Sequence, residues 1–159
     1  MNRPTFPIII ISDNKWIDLI PEENNLFKVA TSALTDPRIF EDTIAFDSNG
    51  NKWTYKQTTD KFKNTLLTRI LAKTFYNPLL DATVLWTSHG TYKIEELKIK
   101  FKKCVDEDDD IITQFEEGSV IKTEIDNSQT FDDLIKILNK YIFDVNEEEI
   151  WKEQEKRNK

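Results

Sequence analysis

The sequence predicts an α+β fold, a single domain with a mixed or antiparallel sheet packed by about three helices. Three observations carry that prediction. Residues 43–55 (TIAFDSNGNKWTY) place two alternating apolar arms around Asn49-Gly50, the pattern of a β-hairpin. Ile94, Leu97, Phe101, Cys104 and Val105 fall at i, i+3, i+7, i+10 and i+11, one helical stripe. With 3 Gly and 5 Pro, turn residues are too scarce for a sandwich or barrel of many short strands. The 159 residues fit one domain by length, and 38% hydrophobic content with 11% aromatics exceeds that of disordered chains despite 32% charge. The domain is expected over residues 1–146, with 147–159 as a charged tail.

Taken in order, the first element is a run of four isoleucines, Ile8 to Ile11, bounded by Pro7 and by Ser12-Asp13-Asn14. A continuous β-branched run reads as a strand buried on both faces, inside the sheet. Trp16, Ile17, Leu19 and Ile20 follow as an irregular packed segment closed by Pro21. Residues 26–34 (LFKVATSAL) fit a short helix or a strand, and Asp36-Pro37 marks a turn. In the hairpin, Asn49-Gly50 suits a type I′ turn, whose two central positions both need positive φ. Asp47, Asn49 and Asn51 imitate the start of a calcium loop. The imitation fails where that loop needs Gly and Glu, because Lys52 and Thr58 stand there.

Phe62, Leu66, Ile70, Leu71 and Phe75 then show helical spacing over residues 59–75, weakened by Thr65, Thr68 and Thr74 and ended by Asn77-Pro78. Residues 82–86 (ATVLW) read as a strand and Ser88-His89-Gly90 as a turn. A helix over 93–105 keeps Lys93, Lys98, Lys100, Lys102 and Lys103 mostly off its apolar stripe. Five acids follow it directly. Carboxylates are unfavourable at a helix C-terminus and favourable at an N-terminus. A break is therefore expected near Asp106, with Asp108 or Asp109 capping a second short helix over 111–117. Val120, Ile121 and Ile125 suggest a short strand or the docking edge of a loop. Thr130 and Asp133 have capping-box spacing, opening a helix over 130–142 lined by Leu134, Ile135, Leu138, Tyr141 and Ile142. The tail is a frayed helix or a disordered end, with Ile150 and Trp151 as anchors.

Charge is the most informative property of the chain. Residues 106–126 hold nine acids against Lys122, a net of −8, while the whole chain carries −7. The acidity is local. A sequence pI of about 4.9 disfavours nucleic acid and anionic membranes as partners and suits a basic protein. Asp106, Glu107, Asp108, Asp109, Asp110, Glu116 and Glu117 are the expected contact surface, with Tyr92, Phe115, Trp16 and Trp86 as candidate aromatic anchors. The acid run reads equally as a helix cap plus a solvated turn.

Catalytic patterns are not evident: the sequence has no Gly-rich phosphate loop, GxSxG, CxxC or HExxH. His89 is the one histidine, with no partner at a diagnostic spacing, and no metal or cofactor is expected. Cys104 reads as a buried thiol. The N-terminal apolar run is too short for a signal-peptide core or a membrane span, and the cytoplasm is the expected location.

Gly90-Thr91-Tyr92, Glu96-Leu97-Lys98, residues 108–115 (DDDIITQF) and residues 128–133 (SQTFDD), with residues 47–53 (DSNGNKW) upstream, resemble small acidic immunity proteins of bacterial polymorphic and contact-dependent toxin systems. The likeness spans about residues 40–140. It implies a non-catalytic cytoplasmic protein that binds a cognate toxin domain one to one and inhibits it by occluding its active site or by binding beside it. A basic nuclease would suit the acidic face, since carboxylates can stand where phosphates normally bind. Size and charge also fit a small acidic chaperone or adaptor holding an unfolded segment of a secreted protein. A hydrolase using His89 with acidic residues, or a metal held by the acid run, is a third reading.

Overall fold

The computed structural model describes residues 3–35, 42–63, 65–72 and 77–157. The turn expected at Asp36-Pro37 and the Phe75 end of the expected 59–75 helix lie outside them. The architecture is α+β, with six helices and seven strands among the described residues, and the chain divides into two compact units.

The first unit, Met1–Asp13 and Asp18–Tyr92, carries most of the sheet. Five strands pair in the order β2-β1-β4-β5-β7: β1 Ile8–Ser12, β2 Trp16–Ile20, β4 Thr43–Asp47, β5 Asn51–Thr58 and β7 Thr83–Thr91. β1 lies inside the sheet, antiparallel to β4 with Ile9 opposite Phe46 and Ile10 opposite Ala45. All four of its isoleucines are buried, so the unbroken β-branched run does mark a strand covered on both faces. Each such side chain contributes about 1.5–3 kcal/mol when removed from water. Ile8 and Ile10 cluster with Ile20, Leu26, Ala45 and Trp53.

Local chemistry and observed structure part company at three turns. The 43–55 hairpin forms, but not through a type I′ pair. Positive φ falls on Gly50 alone (+81°), while the N–H of Gly50 bonds the carbonyl of Asp47 at 3.1 Å. The turn spans four residues from Asp47, whose side chain makes it rigid: Oδ1 accepts the N–H groups of Asn49 (3.0 Å) and Asn51 (2.8 Å). The consecutive positive-φ pair lies instead at Asp13 and Asn14 (55° and 52°), between β1 and β2. The segment expected to be irregular is therefore the edge strand β2. Ser88-His89-Gly90 is not a turn either. Those residues extend β7, with Ser88 opposite Trp53 and Thr91 opposite Asn51 across a bulge.

Residues 26–34 contain both elements that their pattern allowed. A 3₁₀ turn, Glu23–Leu26, leads to β3 Lys28–Ala30 and the short helix α1 Thr31–Thr35. β3 pairs with β6, Leu79–Asp81, as a separate two-stranded sheet. Gln57 of β5 is buried and donates its amide to the carbonyls of Leu26 (2.6 Å) and Lys28 (3.0 Å). The helix expected from residue 59 starts later, as α2 Leu66–Ala72, and Thr65 and Thr68 bond across its first turn.

The second unit, Asn14–Ile17 and Lys93–Lys159, is helical. α3 spans Ile94–Asp106, with Leu97, Phe101, Cys104 and Val105 buried as the stripe predicts. It ends at the first acid, as the dipole argument requires. No helix follows over 111–117; those residues form successive bends, and α4 occupies Gly118–Asn127 instead. Ile121 and Ile125 are its buried positions, one turn apart. A Cβ on Gly118 would stand 3.2 Å from Val105 Cγ1, so glycine lets α4 start close against α3. α5, Phe131–Leu138, opens with the expected reciprocal box between Thr130 and Asp133. It runs into a π turn over Asn139–Phe143.

Residues 147–157 form α6, Glu147–Arg157, rather than a loose end. Ile150 is 1% exposed, whereas Trp151 points outward. Lys140 joins this helix to α4, bonding Glu153 at 2.8 Å and Glu124 at 2.9 Å, and Tyr141 donates to the same Glu124. Burial alone would lower the Lys140 pKa, but these carboxylates hold it above its ordinary value.

Candidate functional site

The helical unit carries the acidity. By sequence it holds 19 acids against 13 bases, a net of −6 out of the chain's −7. The seven acids expected to form a contact surface sit here, but they do unlike work.

Asp108 is occupied by the fold. One of its oxygens accepts the backbone N–H groups of Ile112 and Thr113 and the Thr113 hydroxyl at 2.8–2.9 Å, and the other accepts the N–H of Ile111 at 3.2 Å. Burial opposes ionisation of this group, yet the four donors hold its carboxyl below the usual range. It caps the bends after α3, not a helix. Asp106 pairs with Lys122 of α4 at 2.6 Å, and Asp109 with Lys15 at 2.5 Å. Asp110 takes the left-handed conformation (φ 64°) that turns the chain. Among the described residues, Glu107, Asp110 and Glu117 make no ion pair.

Glu116 differs from the rest. It is 7% exposed, accepts the N–H of Glu117 on Oε1 at 3.0 Å, and pairs through Oε2 with Arg157 at the end of α6. The pair raises the Arg157 pKa, chiefly through that hydrogen bond. Both residues line an open cleft of about 610 Å³ with Phe115, Glu117, Val120 and Gln154. Gln154 Nε2 donates to the Phe115 carbonyl at 2.8 Å, fixing one wall to α6. The sequence offers no signal for the Glu116–Arg157 pair, since 41 residues separate its members.

Two of the four aromatic candidates are structural. Tyr92 donates its hydroxyl to the Asp47 carbonyl at 2.9 Å and meets Phe46 edge-on at 4.9 Å. Trp86 packs on Tyr55 and Phe6 and donates to Glu23 at 3.1 Å. Trp16 is half exposed, with the Lys15 ammonium 5.3 Å above its ring, and Phe115 lines the cleft. His89 bonds Thr54 Oγ1 at 2.9 Å on an exposed strand. Among the described residues no group of three His, Cys, Asp or Glu side chains is placed to hold a metal, and no helix is long and apolar enough to cross a membrane.

Comparison with known proteins returns no match: no family model, curated protein or solved structure aligns with the chain.

Proposed function

We propose that the chain is an immunity protein, which binds a basic toxin domain through the acidic face of its helical unit and blocks the toxin by occlusion. The observation that carries this reading is the concentration of charge. Six of seven net negative charges belong to the helical unit, and its exposed Glu107, Asp110 and Glu117 make no ion pair among the described residues. Free carboxylates on one unit steer a cationic partner and raise its association rate, an effect that salt weakens. Asp106, Asp108 and Asp109 have smaller parts in this reading, because lysines or backbone donors already engage them.

The test is affinity capture from the source cytosol, followed by reconstitution with the captured domain. The expected result is a folded toxin inhibited at one-to-one stoichiometry, with inhibition weakened in the triple variant Glu107→Gln, Asp110→Asn, Glu117→Gln. An unfolded secreted segment as the captured species would favour the chaperone reading. A toxin inhibited equally well by the triple variant would remove the acidic face from the mechanism.

A further inference from the structure

Glu116 is a carboxylate withdrawn from water on the wall of an open cleft. A buried carboxylate needs a cation or several donors, and removing its partner is costly. Here the cation is Arg157, and the two members of the pair are unequally held. Glu116 sits between the Asp108-capped bends and the start of α4, bonded to the next backbone N–H. Arg157 closes the last turn of α6, and 41% of its side chain remains exposed. The cleft of about 610 Å³ is far larger than one guanidinium, and its other walls suit the same group. Phe115, Val120 and Glu117 also line it, an aromatic, an aliphatic and a second acidic residue of the types that receive a guanidinium and its methylene stem.

We infer that this cleft is a binding site for an arginine side chain of the partner, and that Arg157 holds its carboxylate as an internal substitute in the free protein. The inference rests on the reading that the partner is a basic protein. Exchanging one guanidinium for another never leaves Glu116 unpaired, so the incoming residue avoids the penalty that an unoccupied site would carry. The internal competitor lowers the apparent affinity by the fraction of time the cleft is closed to a newcomer.

The test uses Ac-Gly-Arg-Gly-NH₂ and its citrulline counterpart, which keeps the shape and loses the charge. Both are titrated into the full chain and followed by amide NMR at residues 115–120. The arginine peptide should shift these amides in the wild type and bind roughly tenfold tighter to Arg157→Gln, as removal of a competitor requires. Glu116→Gln and the citrulline peptide should give no response. Equal responses to the two peptides, or no gain in Arg157→Gln, overturn the inference. If Arg157→Gln loses its fold, Arg157→Lys takes its place, because a single-point ammonium yields more readily to a bidentate guanidinium; an unchanged affinity there is equally decisive. No natural partner is needed. A negative titration with toxin inhibition intact removes only the cleft, and a positive one with no toxin captured removes only the immunity reading.

Discussion

Trp53 donates its indole N–H to Asp47 Oδ2 at 2.9 Å, and both residues are buried. The bond crosses the 43–55 hairpin from the end of one strand to the inner face of the other. The same carboxylate also receives the N–H groups of Asn49, Asn51 and Thr5. One acid thus sets the turn, seats the tryptophan and ties down the N-terminal segment.

Asp47→Ala would leave the buried Trp53 indole N–H and three part-buried backbone N–H groups without their acceptor. We expect a loss of about 2–4 kcal/mol, with Asp47→Asn losing less because it keeps one acceptor. Urea unfolding midpoints check this. A loss under about 0.5 kcal/mol, the range of ordinary surface changes, would refute the assigned role.

The acid run should divide into two classes. Asp108→Ala removes the acceptor for four donors and should cost about 1–3 kcal/mol. Glu107→Gln and Asp110→Asn should stay within about 0.5 kcal/mol of wild type. Equal stabilities across the three variants would mean that Asp108 does not organise the bends.

Asp133 should titrate at about 2, held down first by the Thr130 hydroxyl and then by the Gln129 N–H and by Lys136. Its folded pKa lies below the unfolded value of 3.8. The stabilisation is therefore complete above 3.8 and disappears as pH falls through about 2. Thr130→Val should move the carboxyl midpoint up toward 3.8, read by ¹³C NMR titration. An unmoved midpoint would assign the shift to the other donors.

Burial pushes the Cys104 thiol up to about 12, against a small opposing effect of Lys100. At pH 8 iodoacetamide should leave the folded chain unmodified and label it promptly in urea. Fast labelling of the native protein would show that the α3 face opens easily.

Ile150→Ala should cost about 2–4 kcal/mol, since the side chain is enclosed in the helical unit. A dispensable tail would show no change in thermal midpoint.

Much of the fold was legible in the sequence where side-chain periodicity and backbone chemistry agree. The isoleucine run, the α3 stripe and the Thr130–Asp133 box each combine both signals. Ser88-His89-Gly90 was misleading because its turn chemistry is outweighed by the ladder to β5, a partner some 35 residues away. α4 was hidden by a glycine start and by β-branched Val120, Ile121, Thr123 and Ile125. The i, i+4 spacing of Ile121 and Ile125 was the available clue. At the candidate site, composition located the acidity but could not sort it. Which carboxylates are occupied depends on Lys15, Lys122 and Arg157, whose approach only tertiary structure determines.

The helical unit also recruits four residues from far upstream. Asn14 accepts from Lys100, 86 positions later, at 3.1 Å, and Lys15 pairs with Asp109. On a ribosome adding 5–20 residues per second, Asn14 and Lys15 therefore wait roughly 5–20 s before these partners exist. These contacts close some of the longest loops in the chain. Without this tetrapeptide, residues 93–159 would lose the Asn14 acceptor of Lys100 and the Lys15 partner of Asp109, leaving both side chains to water.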